Sequence, residues 1–442
     1  MEERPRRPKP QIMKRLFLVD PSLKDIRGHH YMMTREATRS AQQLGFDVVW
    51  LCSEGFSGAL DAEKATVAPV FRSSMYDAYI SQQQQAKKPD LLTRLKRKLT
   101  GRRDAPPPAP MGGFFEDLQS AMAQWEIGPE DRILLHTADG ESLPAVARII
   151  RETPLEALPV FHVATPYDPV GVMPKRQVME GFEQTLEQLK EAGALGRRLF
   201  LYAENAYLAE HLSQLWPAMV RPLPIPASAP EANACDAART RLCEKLGLQP
   251  DSFLIVSLGS ARLEKGFQHI PDIVAHVFER ATDDIRFILH ASPQIVGRDP
   301  KITEAINRLQ ARPEGQAHLL LEPLSDDDYQ DLLLASDVVL LPYGEHEYRV
   351  RGSAVVTEAL AAGKTIVATA NTYPGKAAHT HGGLTADTPA GFADAILEVY
   401  GARAAFSARA KNERENFVAA NSMESYWRRC LDAEREENSS SG

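Results

Sequence analysis

Apolar residues in this chain follow two alternating rhythms. Short continuous apolar runs, rich in β-branched and aromatic residues, occur at Ile12–Asp20 (IMKRLFLVD) and in FDVVWLC, DRILLHT, LPVFHVAT and RRLFLYAE. Each predicts a strand buried on both faces. Between them, apolar residues recur at helical spacing in YMMTREATRSAQQLG, FFEDLQSAMAQW, SLPAVARIIRE and KRQVMEGFEQTLEQLKEAG, the first stopped by Gly45. The proline-rich VRPLPIPASAP (Val220–Pro230) reads as a stiff extended connector. The pattern then restarts. ACDAARTRLCEKLG predicts a helix, DSFLIVSLG a strand, and Phe267–Arg280 a helix. IRFILHA, AHLLLEP, DVVLLPY and KTIVATA predict further strands with helices between them. GFADAILEVY and Ala404–Glu436 are again helical. Such alternation predicts an α/β protein with two doubly wound, Rossmann-like parallel-sheet domains, over 12–222 and 231–403.

Two stretches fall outside these rhythms. Residues 54–80 yield no clear element. From Ser81 to Gly113 the composition shifts to a glutamine run, a basic cluster and a proline run, so 82–112 is expected to be a flexible insertion. Within it PDLLTRLKRKL can form an amphipathic helix with Leu91, Leu92, Leu95 and Leu99 on one side. Residues 89–103 are therefore either a peripheral anchor to an anionic membrane face or a solvated surface insertion, the simpler reading.

A length of 442 residues exceeds one ordinary core. The net charge of −8 argues against nucleic acid as a partner. Cys52, Cys235, Cys243 and Cys430 form no CxxC, which points to a reducing compartment and no structural zinc. MEERPRRPKPQ is polar and proline-rich, without the apolar core of a secretory signal. No run approaches the ~20 apolar residues that span a bilayer. The expected location is cytoplasmic, with 89–103 as the one candidate contact to the inner membrane face.

Candidate chemistry concentrates in the second half. Asp337–Ala370 reads as strand, charged loop, helix, strand. In a parallel sheet such a loop lies at the carboxyl edge, where ligands bind. Ser353 is placed to cap the helix and Gly363 to stop it. The N–H groups at Gly352, Ser353 and Ala354 suit a phosphate. Glu358 is either a ligand for vicinal hydroxyls, such as those of a ribose, or an ordinary solvated glutamate. Upstream, GSARLEKGF places Gly259, Arg262 and Lys265 in one strand-to-helix turn. The two cations either converge on a diphosphate or form a solvated charged turn. In the first half the opening βαβ unit lacks GxGxxG, so a dinucleotide site is not supported. Its loop PSLKDIRGHH offers Gly28, which permits close backbone approach, and His29 and His30. His136 and Asp168 sit at later strand ends.

SAVVTEALAAGKTIVAT and GSARLEKGF together resemble the donor-site signature of retaining GT-B glycosyltransferases, the large group-4 (glycogen-phosphorylase-like) family. The resemblance implies a two-domain GT-B fold with a cleft, an interdomain linker near 220–230, and a final helix (404–436) returning to the first domain. It implies that Glu358 binds the ribose, and that Gly259, Arg262 and Lys265 hold the diphosphate and stabilise it as leaving group. The base would lie near Leu324, with Tyr343 as a wall. Gly28, His29, His30 and Asp168 would line the phosphate-and-acceptor side, and His136 would orient acceptor or donor sugar. UDP is the favoured nucleotide; no other cofactor and no metal are implied. Two positions depart from the pattern. The arginine usually found directly after the first glycine is Ser260 here, with Arg262 displaced by two. Val350 stands where the family carries a sugar-contacting glutamate, flanked by Arg349 and Arg351. YRVRGSAVVTEAL is closer to a subset with a Tyr/Arg-containing, serine-led loop, which brings Arg351 into the donor set. The implied activity is hexosyl transfer from a nucleotide sugar to an acceptor glycan, lipid-linked saccharide or other acceptor, in polysaccharide biosynthesis, with retention and without metal. A nucleotide-sugar-binding scaffold without catalysis and a nucleotide-sugar epimerase of similar fold are the alternatives.

Overall fold

The computed structural model describes residues 14–26, 28–58, 65–74, 113–169, 181–280, 284–292 and 299–440. The polar N-terminal stretch 1–11 and the expected insertion 82–112, with its 89–103 helix, lie outside the described residues. No helix among the described residues is long and apolar enough to cross a membrane.

The first half runs β1 (Arg15–Asp20), α1 (Gly28–Gln43), β2 (Asp47–Ser53), β3 (Thr66–Phe71), α2 (Phe114–Gln124), β4 (Arg132–Leu135), α3 (Ser142–Glu152), β5 (Val160–Thr165), α4 (Phe182–Glu191), β6 (Leu199–Ala203), α5 (Ala206–Leu215) and β7 (Val220–Pro222). Its seven strands are all parallel, in the order β3-β2-β1-β4-β5-β6-β7. The period-two geometry of β1 divides its apolar residues between two cores. Phe17 and Val19 pack with Leu118, Leu143 and Val146 from helices on one face. Leu16 and Leu18 pack with Ala37 and Ala41 of α1 on the other. After β3 the chain returns to place β4 on the other side of β1, so the strand order reverses between β1 and β4 and the gap between their carboxyl ends is the switch point.

The second half repeats the plan: α6 (Ala234–Leu246), β8 (Phe253–Ser257), α7 (Ile270–Phe278), β9 (Ile285–His290), α8 (Pro300–Gln310), β10 (Ala317–Leu320), α9 (Asp326–Ala335), β11 (Val338–Leu341), α10 (Glu345–Tyr348), α11 (Ala354–Ala361), β12 (Thr365–Thr369), α12 (Tyr373–Thr380), β13 (Leu384–Ala386) and α13 (Pro389–Gly401). The six parallel strands lie in the order β10-β9-β8-β11-β12-β13, so the switch point is between β8 and β11. Phe253 and Ile255 face one core and Leu254 and Val256 the other.

The last stretch is two helices, α14 (Arg403–Ala420) and α15 (Met423–Ser440), with Asn421 and Ser422 between them. The second lies on the first sheet. Trp427 Nε1 donates to Ala37 O (3.3 Å). Glu434 accepts from Arg132 Nε (2.8 Å) and Nη2 (2.6 Å) and meets His162 Nε2 (3.0 Å). Burial works against the Glu434 charge, but these two partners outweigh it and hold the carboxyl down at about 2.

Three elements differ from expectation. Residues 54–80 contain the strand β3, whose Pro69 and edge position weaken the strand signal. Val220–Pro222, expected as the start of the connector, is itself an edge strand. The charged loop GEHEY closes into the short helix α10, because Tyr348 turns inward to a buried position.

Candidate functional site

At the switch point of the second sheet the loop after β8 folds against the loop after β11. Two glycines permit this. Gly259 has φ +96°, and a Cβ there would meet Lys265 Nζ at 2.3 Å. Gly266 has φ +67°, and a Cβ there would stand 1.7 Å from Pro342 O. The Gly344 N–H donates to Glu264 O (2.9 Å), tying the loops together. Lys265 Nζ consequently lies 5.7 Å from the centroid of the buried Tyr343 ring. Tyr343 packs on Tyr348 at 4.4 Å between centroids, and the Arg351 guanidinium lies 5.1 Å over Tyr348. Arg262 pairs with Glu264 (3.1 Å), while its Nε is buried without a partner.

Ser353 occupies the N-cap position of α11, but its side chain makes no capping bond, contrary to expectation. The buried Tyr343 hydroxyl beside it likewise makes no hydrogen bond of normal geometry. The first turn of α11 therefore keeps its N–H groups free of side-chain caps, the arrangement that binds anions. Further along, Glu358 accepts from Tyr329 Oη (2.5 Å). Leu324 packs on the same core as Tyr329.

Charge in this cluster is unbalanced. Burial first, then Arg262 and Arg351, push the Lys265 ammonium down to about 7, against Glu264 and Glu358. Burial pushes the Glu358 carboxyl up, against Tyr329 and Lys265. Cations enclosed beside an uncapped helix start suit a dianion. His290, at the end of β9, was not singled out by sequence pattern. It is buried near the Glu322 backbone and Lys265, and neither ring nitrogen has a hydrogen bond of normal geometry. Burial, chiefly, pushes its imidazole down. The available signal was a polar residue closing the apolar run IRFILHA.

A second cluster lies at the switch point of the first sheet. Asp20 ends β1 and is buried. It meets His30 Nδ1 at 2.8 Å and His136 Nε2 at 3.3 Å. His136 Nδ1 is 2.8 Å from Thr137 Oγ1. Burial opposes the Asp20 charge, but the two imidazoles prevail and hold the carboxyl well below its usual range. Burial would lower His30, yet Asp20 raises it. His30 and His136 are thus brought together, through an aspartate that the sequence pattern marked only as the end of LFLVD. Gly28 opens α1, and the His29 side chain lies outside the described residues. Asp168 is not part of this cluster: it pairs with His211 of α5 at 3.0 Å.

The domains touch where Asn205 Nδ2 donates to Val350 O (2.9 Å). A cavity of about 870 Å³ also lies between them, bounded by Tyr207, Thr357, Leu360, Tyr373 and Lys376. Neither Lys265 nor Glu358 lines it.

Two parallel-sheet α/β domains with a chain end returning to the first define the GT-B class of fold. Residues 252–401, in the second half, match the family model for Glycosyl transferases group 1. No curated protein matches the chain. Solved structures of this fold do. A sucrose-phosphate synthase from Thermosynechococcus elongatus superposes with a TM-score of 0.63 over 97% of this chain and 100% of its own, at 13% identity. An α,α-trehalose 6-phosphate synthase from Burkholderia multivorans gives 0.61 over 97% and 100%, at 14% identity. A glycosyltransferase from Rickettsia africae gives 0.62 over 96% and 99%, at 13% identity.

Proposed function

We propose that this protein transfers a hexosyl group from a nucleotide sugar to an acceptor, with retention and without a metal ion. The observation that carries this reading is the meeting of Lys265, Arg262 and Arg351 around Tyr343 and Tyr348, beside the start of α11. It lies within the region matching Glycosyl transferases group 1. Breaking a sugar–phosphate bond develops negative charge on the leaving diphosphate. Fixed cations and helix N–H groups placed beforehand stabilise that charge without reorganisation. In this reading Arg262, Lys265, Arg351 and the N–H groups of Gly352–Ala354 hold the diphosphate. Glu358, held by Tyr329, receives the ribose hydroxyls, and Leu324 and Tyr343 wall the base. A UDP sugar is the donor favoured; solved structures of the same fold include a UDP-forming trehalose-phosphate synthase. The acceptor enters from the first domain, where Asp20 sets His30 and His136. Retention follows from front-face attack with the leaving phosphate assisting acceptor deprotonation, so no side-chain nucleophile is assigned. Movement about 220–230 closes the cleft and limits hydrolysis.

Thermal shift with UDP, GDP and ADP tests the site, since a ligand of the native state raises Tm. UDP is expected to give the largest rise and Lys265→Ala to abolish it. No shift with any of the three would end this reading. Transfer is expected to survive chelation by EDTA.

A further inference from the structure

The end of β6 carries two consecutive residues that reach from the first domain to the second. The Glu204 N–H donates to Thr165 O at the end of β5 (3.2 Å), fixing the backbone. Its side chain runs to Gly352: a Cβ on that glycine would stand 1.8 Å from Oε1 and 2.4 Å from Cδ. Asn205 Oδ1 caps α5 by accepting from Leu208 N (3.0 Å), while Nδ2 donates to Val350 O. The two residues therefore bracket Val350–Gly352, the segment leading into α11. Val350 turns its side chain onto the core of the first domain. The Glu204 carboxyl, by contrast, faces the cation cluster. Arg351, Tyr348 and Tyr373 are the charged and titratable groups near it, and Tyr348 also senses Arg262.

Among the described residues no hydrogen bond reaches that carboxyl. The residue is half-buried, so the carboxyl keeps some solvent access while it stands against Gly352 beside Arg351, where a ligand at the start of α11 would meet it. We propose that Glu204 is a donor-contacting residue delivered across the cleft by the acceptor-side domain, donating a hydrogen bond to an oxygen of the sugar nucleotide bound beside Gly352. The inference rests on the function proposed above. Burial pushes this carboxyl up to about 8, against the pull of Arg351. At neutral pH it is therefore protonated, a donor that does not repel a diphosphate. Above pH 8 it ionises, and like charge then opposes binding. A carboxyl held neutral also makes the cation cluster depend on domain approach, because the donor bond forms only with Glu204 against Gly352.

The test compares wild type, Glu204→Gln and Glu204→Ala by UDP release from UDP-glucose between pH 6 and 9, beside UDP binding. Lys265 titrates in all three proteins, so the ratio of wild type to Glu204→Gln isolates Glu204. That ratio in kcat/KM should be nearly constant below pH 7 and fall about tenfold between pH 7 and 9. Glu204→Ala should lower kcat/KM tenfold or more at pH 7. A flat ratio, or wild-type kinetics in Glu204→Ala, overturns the proposal while leaving UDP binding and the function reading intact. A wild-type protein that binds no UDP fails the function reading and this one together. Stability gives a readout without nucleotide. A carboxyl raised in the folded state contributes stability below its unfolded value near 4.5, lost as pH rises through 8. The Tm of Glu204→Gln should accordingly gain on wild type from pH 5 to 9. Parallel Tm curves would show that folding does not raise the carboxyl, and would sink the inference.

Discussion

Lys265 is the residue on which the proposed donor site turns. Its ammonium is depressed to about 7 because burial and two arginines disfavour the charge. A diphosphate bound as proposed would reverse this and restore the proton. Binding of UDP above pH 7 should therefore take up a proton, and affinity should fall as pH rises from 7 to 9. Calorimetry in buffers of different ionisation enthalpy measures this directly. Lys265→Ala should remove the effect and lower affinity about 10- to 100-fold, the range for a charge-assisted bond of about 1.5–3 kcal/mol. At the other switch point, Asp20 sits between two histidines. Its carboxyl is held far below 3.8, so the stability it contributes is present above that value and lost as pH falls below it. Asp20→Asn removes the carboxylate that His30 and His136 both meet. The expected loss is about 3 kcal/mol in urea unfolding at pH 6, the usual cost of breaking a buried pair.

At the scale of elements, loops are held by backbone fit and helices by buried charge. Gly266 combines φ +67° with the Pro342 carbonyl where a side chain would begin. Pro342 O belongs to the backbone and cannot yield as a flexible side chain would. Gly266→Ala should therefore cost about 2 kcal/mol or more and abolish nucleotide binding, seen as a lower urea midpoint without a UDP-induced Tm rise. The helix α15 is anchored differently. Glu434 serves Arg132 and His162 together, and the His162 Nδ1 in turn lies 3.0 Å from the Tyr202 hydroxyl. Glu434→Ala would leave Arg132 without its counter-charge and His162 without its partner under the helix. A loss of about 3 kcal/mol is expected, with faster amide exchange in α15 than in the strands of the second sheet.

The whole molecule depends on how its halves meet, and Asn205 separates two roles there. Its Oδ1 caps α5 and its Nδ2 bridges to Val350. Asn205→Ala should lose both, lowering stability by about 1 kcal/mol as expected for a lost cap. Asn205→Asp keeps the cap and loses the bridge. Its unfolding midpoint should stay near wild type, while UDP-glucose turnover falls and the radius of gyration measured by X-ray scattering rises. An Asn205→Asp protein with wild-type turnover would show that this bridge does not govern approach of the domains.

The alternating apolar runs determined the strands, because residues buried on both faces leave a pattern that local sequence cannot hide. They also determined the two-sheet plan and the positions of Gly259, Lys265 and Glu358 in loops and helix starts at carboxyl edges. β3 escaped notice because an edge strand is only partly buried and tolerates proline. α10 escaped because its one inward residue, Tyr348, carries no periodic signal across four residues. Tertiary structure alone decided the pairings that join distant segments. Asp20 meets a histidine 116 residues later, and Glu204 meets Gly352. Such contacts depend on strand order and on how two domains approach, quantities fixed by summed packing rather than by any local run. The same reason explains Asp168, which stands at a strand end as expected, yet is turned by His211 into a pair of its own.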